Sequence, residues 1–557
     1  MEKHSGKGLY KISADHIAIV IIALFFIISV ASILEKSVTV DESVYIAAGH
    51  SYWVTRDFRL NPEQPALLKL WFGVPLLLIT PEDATQTHYW NDALEKGKEV
   101  ISEYGYAMEF QLKNFHILGK IITAARLAAI LMSVVLAVAI YVFTKKAFGK
   151  LAGLIAVSVF VFEPTVMAHA RLATLDMGAT MFVFLAFYFL YEFTQLGQKK
   201  QLVLALIGFG LAGLSKTSML VFVLPFAVIL AVYGREQLIR VFKIHKYGKN
   251  MNRYGKATIT FFLATALFLF TYFSILHIVY LPDSLSKGFD GPAGIAILPA
   301  TFWHGYSFMS EWIRQGREGY LMGEYNTYMP HYWPIAFLVK TSLPFQLLLL
   351  IAFVLLIRNE GGAKKEQIML LLSAATFILL VMAFSKFYLG VRYLLPAYPF
   401  LAIFGSSTVT SAIKTKKTTI KNVTILLACW VVLENLIIFP HYLAYFNELA
   451  GGAGNGAKWL LDSNLDWGQD LPLVARFVKE HGIESINLIY FGWTPVQKII
   501  PQAYYRPSCQ PTKERIAISV NYLYGLTKKS SRCFEWLRKK QPDKVFGYSI
   551  YYYDLSK

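Results

Sequence analysis

Long apolar runs recur along the chain, each ended by a short stretch of charged or turn-forming residues. Crossing the hydrocarbon core of a bilayer takes about 20 such residues, fewer where neighbouring helices shelter a short one. The pattern predicts about eleven spans, near 16–34, 121–143, 150–163, 177–194, 201–214, 217–233, 258–281, 334–357, 367–384, 391–412 and 422–440. No small-residue cleavage site lies between the first run and Asp41, so that run reads as a retained helix.

Lysine and arginine collect in alternate connections: Lys145-Lys146 with Lys150, Lys199-Lys200, Arg235 to Lys256, Arg358 with Lys364-Lys365, and Lys414 to Lys417. Cytoplasmic loops keep positive charge, which places these loops and the N-terminus inside and, with an odd number of spans, the C-terminus outside the plasma membrane. Three outer segments are long enough to hold structure. The first, 35–120, carries Trp53, Trp71 and Trp90, and its Ala66 to Ile79 run is too short to span, which predicts interfacial helices. The second, 281–333, is rich in aromatics. The third alternates helical stretches (Leu471 to His481, Phe534 to Lys540) with strand-like runs (Ile486 to Phe491, Arg515 to Val520, Val545 to Tyr553). The expected architecture is an α-helical polytopic membrane module over 1–440 and a small extracytoplasmic α/β domain over 441–557.

Composition agrees with a chain that lives in a lipid bilayer: 557 residues, 55% hydrophobic, 16% charged, mean hydropathy +0.44. The net charge of +18 raises nucleic acid as a partner, but the basic residues sit between apolar runs and form no basic domain, so membrane orientation explains them better. Three cysteines give no zinc pattern and no CxxC pair. Cys429 lies inside an apolar run, and Cys509 with Cys533 leave a disulfide open.

Asp41 and Glu42 follow the first span directly, with Tyr45 and then Asn61-Pro62-Glu63-Gln64-Pro65 behind them. Carboxylates there can accept a proton from a hydroxyl nucleophile or hold a divalent cation with Glu63. The plainer alternative is that Asp41 caps a helix starting at Glu42. In the outer turn after the third run, Arg171 and Asp176 stand at the lip of the bilayer, where charged groups serve function or pair with each other. Lys216, Lys340, Lys386 and Arg392 recur at the same expected depth, and each has snorkelling as its alternative. Cations on the outer face run against the positive-inside tendency, and a lipid phosphate would give them a common partner. Tyr388 and Tyr393 could orient phosphate or sugar hydroxyls, or simply anchor the interface. No Walker loop or dinucleotide fingerprint is present. Asp462, Asn464, Asp466 and Asp470 make only a partial calcium-loop pattern, and read better as a turn ahead of a helix from Leu471.

With these motifs in order, the chain resembles the GT-C glycosyltransferases of the protein O-mannosyltransferase and aminoarabinose transferase kind. The resemblance rests on Asp41-Glu42, Asn61-Pro62-Glu63-Gln64-Pro65, Ala170 to Asp176, Gly210 to Lys216, Val339-Lys340-Thr341 and Arg392 to Pro396. The stretches Tyr445 to Gly452 and Asp462 to Asp470 are similar to a prokaryotic subgroup. It implies a GT-C fold, a polyprenyl-phosphate-linked sugar as donor, Asp41 as catalytic base or acceptor-orienting carboxylate with Glu42 beside it, and cations on the carrier phosphate. The His and two prolines usual after the Pro-Glu motif are replaced by Gln64, Pro65 and Ala66, which leaves a metal open. The expected reaction is an inverting displacement at the anomeric carbon onto an acceptor that the sequence does not identify, with the C-terminal domain as a cover or acceptor platform. A transporter or flippase of a lipid-linked substrate is the rival expectation.

Overall fold

The computed structural model describes residues 13–95, 100–243, 251–359 and 364–556, apart from the side chains of 92–95 and 100–102. The basic N-terminal stretch before residue 13 and the middle of the Arg235 to Lys256 connection lie outside the described residues. All eleven apolar runs fall on helix. Among the described residues, seven helices are long and apolar enough to cross a membrane: Ala14–Ile33, Phe115–Phe148, Leu175–Leu196, Thr217–Val241, Arg253–Lys287, Lys364–Phe384 and Thr418–Ile438. Two bent pairs, Lys150–Phe162 with Pro164–Ala170 (65°) and Tyr332–Lys340 with Leu343–Ile357 (112°), bring the number to nine if each is one span. The count by length and composition is therefore seven to nine rather than eleven. The two runs left over form the 17-residue helices Lys199–Ser215 and Tyr398–Lys414. At 1.5 Å per residue these reach about 25 Å, short of a core about 30 Å thick.

The two bends meet. Glu163, at the first break, accepts hydrogen bonds from the backbone N–H (3.0 Å) and hydroxyl (2.5 Å) of Ser342, at the second. The Thr165 hydroxyl donates to the Lys340 carbonyl. Carbonyls and N–H groups freed by a break inside an apolar bundle need such partners, because no water is there to supply them.

The basic connections converge on one end of the bundle. Lys145 bridges to Asp15 (2.6 Å) and Lys146 to Glu192 (2.5 Å), Tyr191 reaches Glu366 (3.4 Å), and Lys365 lies over the Tyr233 ring. The other end carries the outer segments. In the first of these, the helices Val40–Thr55, Leu67–Gly73, Leu76–Ile79 and Val100–Lys113 match the expected interfacial helices, and Ala300–Gln315 lies in the second.

The chain ends in a five-stranded mixed sheet, ordered Ala503–Tyr504, Ile486–Ile489, Arg515–Ser519, Ile550–Asp554, Lys544–Phe546. The first three strands are parallel and the last two pair antiparallel. Helix Leu471–Glu480 begins after Asp470 with Pro472 in its first turn, as the sequence suggested. Cys509 and Cys533 form a disulfide. The sheet packs its own apolar clusters, which begin at Leu471, whereas Tyr442, Phe446, Leu460, Leu465 and Trp467 belong to the core of the helical body. Residues 441–467 are thus built into the bundle, and the expected boundary at 440 does not coincide with the change of core.

Candidate active site

Four elements bring two acids and two bases together at the end opposite the basic loops. Asp41 lies in the first turn of Val40–Thr55 and Asp176 in the first turn of Leu175–Leu196, where the helix dipole favours negative charge. Lys216 follows the C-terminus of Lys199–Ser215, and Arg392 lies in the short helical turn Val391–Ala397. Arg392 Nη1 donates to Asp41 Oδ2 at 2.9 Å and approaches Asp176 Oδ2 at 3.6 Å, while Lys216 Nζ donates to Asp176 Oδ1 at 2.6 Å. Two positive and two negative charges thus form one continuous chain. The Tyr45 hydroxyl is 3.5 Å from Asp41 Oδ2. Asp41 keeps more exposure than its partners, with 17% of its side chain accessible against 2% for Asp176 and 9% for Arg392.

Aromatic faces hold both cations. Lys216 Nζ stands 4.3 Å from the centre of the Tyr393 ring, and Arg392 Cζ stands 4.3 Å from the Trp467 ring. Arg392 Nε is buried without a hydrogen-bond partner among the described residues. Gly390, with φ +134°, admits the turn before Arg392, since a Cβ there would sit 2.8 Å from Ser463 Oγ. The Asn464 side chain then accepts from Val391 N at 2.9 Å, fixing the start of that turn.

Glu42 is spent differently. Its Oε1 and Oε2 take a bidentate pair of hydrogen bonds from Arg126 (2.9 and 2.7 Å), Oε1 accepts from Ala173 N (2.8 Å), and Oε2 accepts from the backbone and hydroxyl of Thr39. Both partners are almost fully buried. Thr39 is the residue that precedes the helix, so Asp41 is not the cap and the capping acid is Glu42. Arg126 donates further to the Lys36 and Ser37 carbonyls. Sequence reasoning missed Arg126, although a single Arg inside an apolar run was the signal.

Other expected phosphate ligands face carbonyl oxygens. Lys340 Nζ donates to Leu443 O (2.8 Å) and Asn464 O (2.6 Å), and Arg171 donates to Ser32 O (2.6 Å) beside the Tyr442 ring. The alternative of an Arg171–Asp176 pair is not what forms, because Asp176 takes Lys216 and Arg392. Lys386 turns to Arg314 O at 3.4 Å. Tyr388 accepts from Met329 N at 2.7 Å and packs on Tyr332 and Trp333.

Glu63 joins a separate buried group with Asn61, Glu103 and Lys69. Lys69 donates to Asn61 O (2.5 Å) and Gln64 O (2.8 Å). Burial pulls the Lys69 ammonium down to about 7, against the opposing pull of Glu63 and Glu103. Burial, reinforced by Glu63, holds the Glu103 carboxyl well above the usual range, and burial also raises Glu63. Among the described residues, no three His, Cys, Asp or Glu side chains converge on a metal position. The Asp466 and Asp470 carboxylates serve the turn, accepting from Gly468 N (2.9 Å) and from Lys36 Nζ (2.5 Å) respectively.

Comparison with known proteins adds a family likeness over part of the chain. No curated protein matches it. The crystal structure of ArnT from Cupriavidus metallidurans in the apo state aligns at TM-score 0.44 and 13% identity, covering 84% of this chain and 73% of that one. ArnT from the same organism bound to undecaprenyl phosphate aligns at TM-score 0.46 and 11% identity, covering 97% and 98%. At these scores neither carries an argument about this chain. The family model of the dolichyl-phosphate-mannose-protein mannosyltransferases matches residues 109–249, and that segment, with Arg126, Asp176 and Lys216 in it, is similar to the family.

Proposed function

We propose that the protein is a membrane glycosyltransferase that moves a sugar from a polyprenyl-phosphate carrier to an acceptor at the outer face of the plasma membrane. The observation that carries this reading is the convergence of Asp41, Asp176, Lys216 and Arg392 from four elements at the end away from the basic loops. The mannosyltransferase likeness of residues 109–249 supports it. With the basic loops in the cytoplasm, this end and the C-terminal sheet face outward, and the Cys509–Cys533 disulfide suits an oxidising exterior.

In this reading an acceptor hydroxyl attacks the anomeric carbon, its proton passes to Asp41, and the bond from that carbon to the phosphate oxygen breaks with inversion. The leaving phosphate carries its charge away on Lys216 and Arg392. In the resting structure Asp41 is tied to Arg392. A phosphate oxygen that shares the charge of Arg392 weakens that tie without moving the guanidinium and leaves Asp41 readier to take a proton, so donor arrival prepares the base. Of the ten residues expected from the sequence, Asp41, Asp176, Lys216 and Arg392 form the reacting group of this proposal. Glu42, Arg171 and Lys340 hold the surrounding backbone.

The test uses purified full-length protein in lipid nanodiscs with a set of polyprenyl-phosphate sugars and candidate acceptors. The expected result is acceptor-dependent release of free polyprenyl phosphate with formation of a glycosidic bond. Movement of the lipid-linked sugar across vesicles with no new bond would replace the reading by the transporter.

A further inference from the structure

Five consecutive residues of the C-terminal segment, Asp466-Trp467-Gly468-Gln469-Asp470, are joined to the strip of chain that leads into Asp41. Ser37 N donates to Gln469 O at 3.1 Å and Val40 N to Trp467 O at 3.0 Å, while the Ser37 hydroxyl donates to Gly468 O at 2.6 Å. Asp470 closes the far end of the strip through Lys36 at 2.5 Å. The five residues are themselves held in shape. Asp466 Oδ1 accepts from Gly468 N (2.9 Å) and Gln469 Oε1 from Trp467 N (2.8 Å). Gly468 has φ +90°, and a Cβ there would lie 2.7 Å from Phe491 O, so the turn admits only glycine without displacement.

Trp467 is therefore fixed on its backbone, and its ring is 2% exposed with Arg392 stacked over it. A ring face attracts a guanidinium through its quadrupole and uses none of its N–H donors. A carboxylate or carbonyl in the same place would hold Arg392 as well, but would consume donors. The result is visible at Arg392 Nε, which stays buried and unpartnered among the described residues while Nη1 is engaged by Asp41. A hydrogen bond left unmade in a buried place is destabilising, and an incoming ligand oxygen would relieve it.

We propose that Trp467 is a positioning residue: its ring holds Arg392 in place without using its N–H groups, leaving Nε–H for an oxygen of the carrier phosphate. This deepens the glycosyltransferase reading and rests on it for the identity of the ligand. The C-terminal segment then belongs to the donor site, where the sequence had suggested a cover or acceptor platform.

The experiment compares full-length wild type with Trp467→Phe and Trp467→Leu in nanodiscs. Modification of arginines by phenylglyoxal is followed peptide by peptide, with exposed Arg56 as the reactive reference and buried Arg126 as the sign of an intact fold. Arg392 is expected to react about fivefold faster in the Leu variant and about twofold faster in the Phe variant, following the loss of the ring contact. Turnover is expected to fall about tenfold in the Leu variant and to stay within about threefold in the Phe variant. Equal Arg392 reactivity in all three proteins overturns the inference, as does equal loss of turnover in both variants. If Arg126 becomes reactive in the Leu variant, the Phe variant decides alone, and an unchanged Arg392 rate there overturns it. A wild type that forms no glycosidic bond with any donor defeats the functional reading, and the order of labelling rates still decides whether Trp467 holds Arg392.

Discussion

The two ends of the helical bundle use the same residue types to opposite effect. At the basic end, Lys145 with Asp15 and Arg235 and Lys256 with Glu236 meet where water screens them. At the other end, Arg126 with Glu42, Lys36 with Asp470, and the Asp41–Arg392–Asp176–Lys216 chain are largely removed from water. An exposed pair is worth about 0–1 kcal/mol, whereas breaking a buried one strands a charge at about 3–5 kcal/mol. Positive charge at the first end is what the positive-inside tendency expects of a cytoplasmic face. At the second, the Arg126–Glu42 and Lys36–Asp470 pairs fix stretches of backbone, and the Asp41–Arg392–Asp176–Lys216 chain is the group proposed to meet the carrier phosphate.

The largest expected effect separates these ends directly. Arg126→Met leaves Glu42 buried with its main counter-charge gone, and is expected to destabilise the protein by about 3–5 kcal/mol. Lys145→Met removes an exposed bridge that water screens, and is expected to change stability little. Thermal unfolding of both variants in the same detergent checks the contrast, and comparable losses would erase it.

A smaller effect is expected in the turn that carries Trp467. Burial pushes the Asp466 carboxyl up to about 7, despite opposing hydrogen bonds from Ser519 and Gly468. Its folded pKa lies above the unfolded value near 4, so the folded state binds more protons between the two. Asp466 therefore stabilises the fold most at low pH, and that contribution is lost as pH rises toward about 7. Asp466→Asn, whose side-chain oxygen can still accept from Gly468 N or the Ser519 hydroxyl, is expected to flatten the decline of melting temperature between about pH 4 and 7 relative to wild type. Identical pH slopes in the two proteins would place the carboxyl elsewhere in its titration.

Much of this division was legible in the sequence. Apolar runs located the long helices of the bundle, because period and length survive without knowledge of neighbours. The alternating basic connections likewise met at one end. The third run ends at Glu163, where the helix bends by 65° and goes on as Pro164–Ala170, whereas the break at Ser342 was invisible inside the run 334–357; each break is stabilised by the other from 179 residues away. Asp41, Asp176, Lys216 and Arg392 were recognised one by one, but nothing local distinguished them from Lys340 or Arg171. Those two point at the carbonyls of Leu443 and Ser32, and only the folded chain shows which cations face carboxylates and which face backbone. Trp467 was readable only as part of a motif, and its ring acquires meaning from Arg392, which lies 75 positions earlier.

The central claim is that Asp41 takes the acceptor proton at a site whose cations hold the carrier phosphate. Asp41→Asn preserves the shape of the side chain while removing its basicity, and leaves Arg392 with Asp176 at 3.6 Å as its counter-charge. Turnover of a polyprenyl-phosphate sugar by this variant, measured beside its melting temperature, is expected to fall by about 10²–10⁴-fold with the fold retained. Near-normal turnover by a folded Asp41→Asn protein would contradict the account.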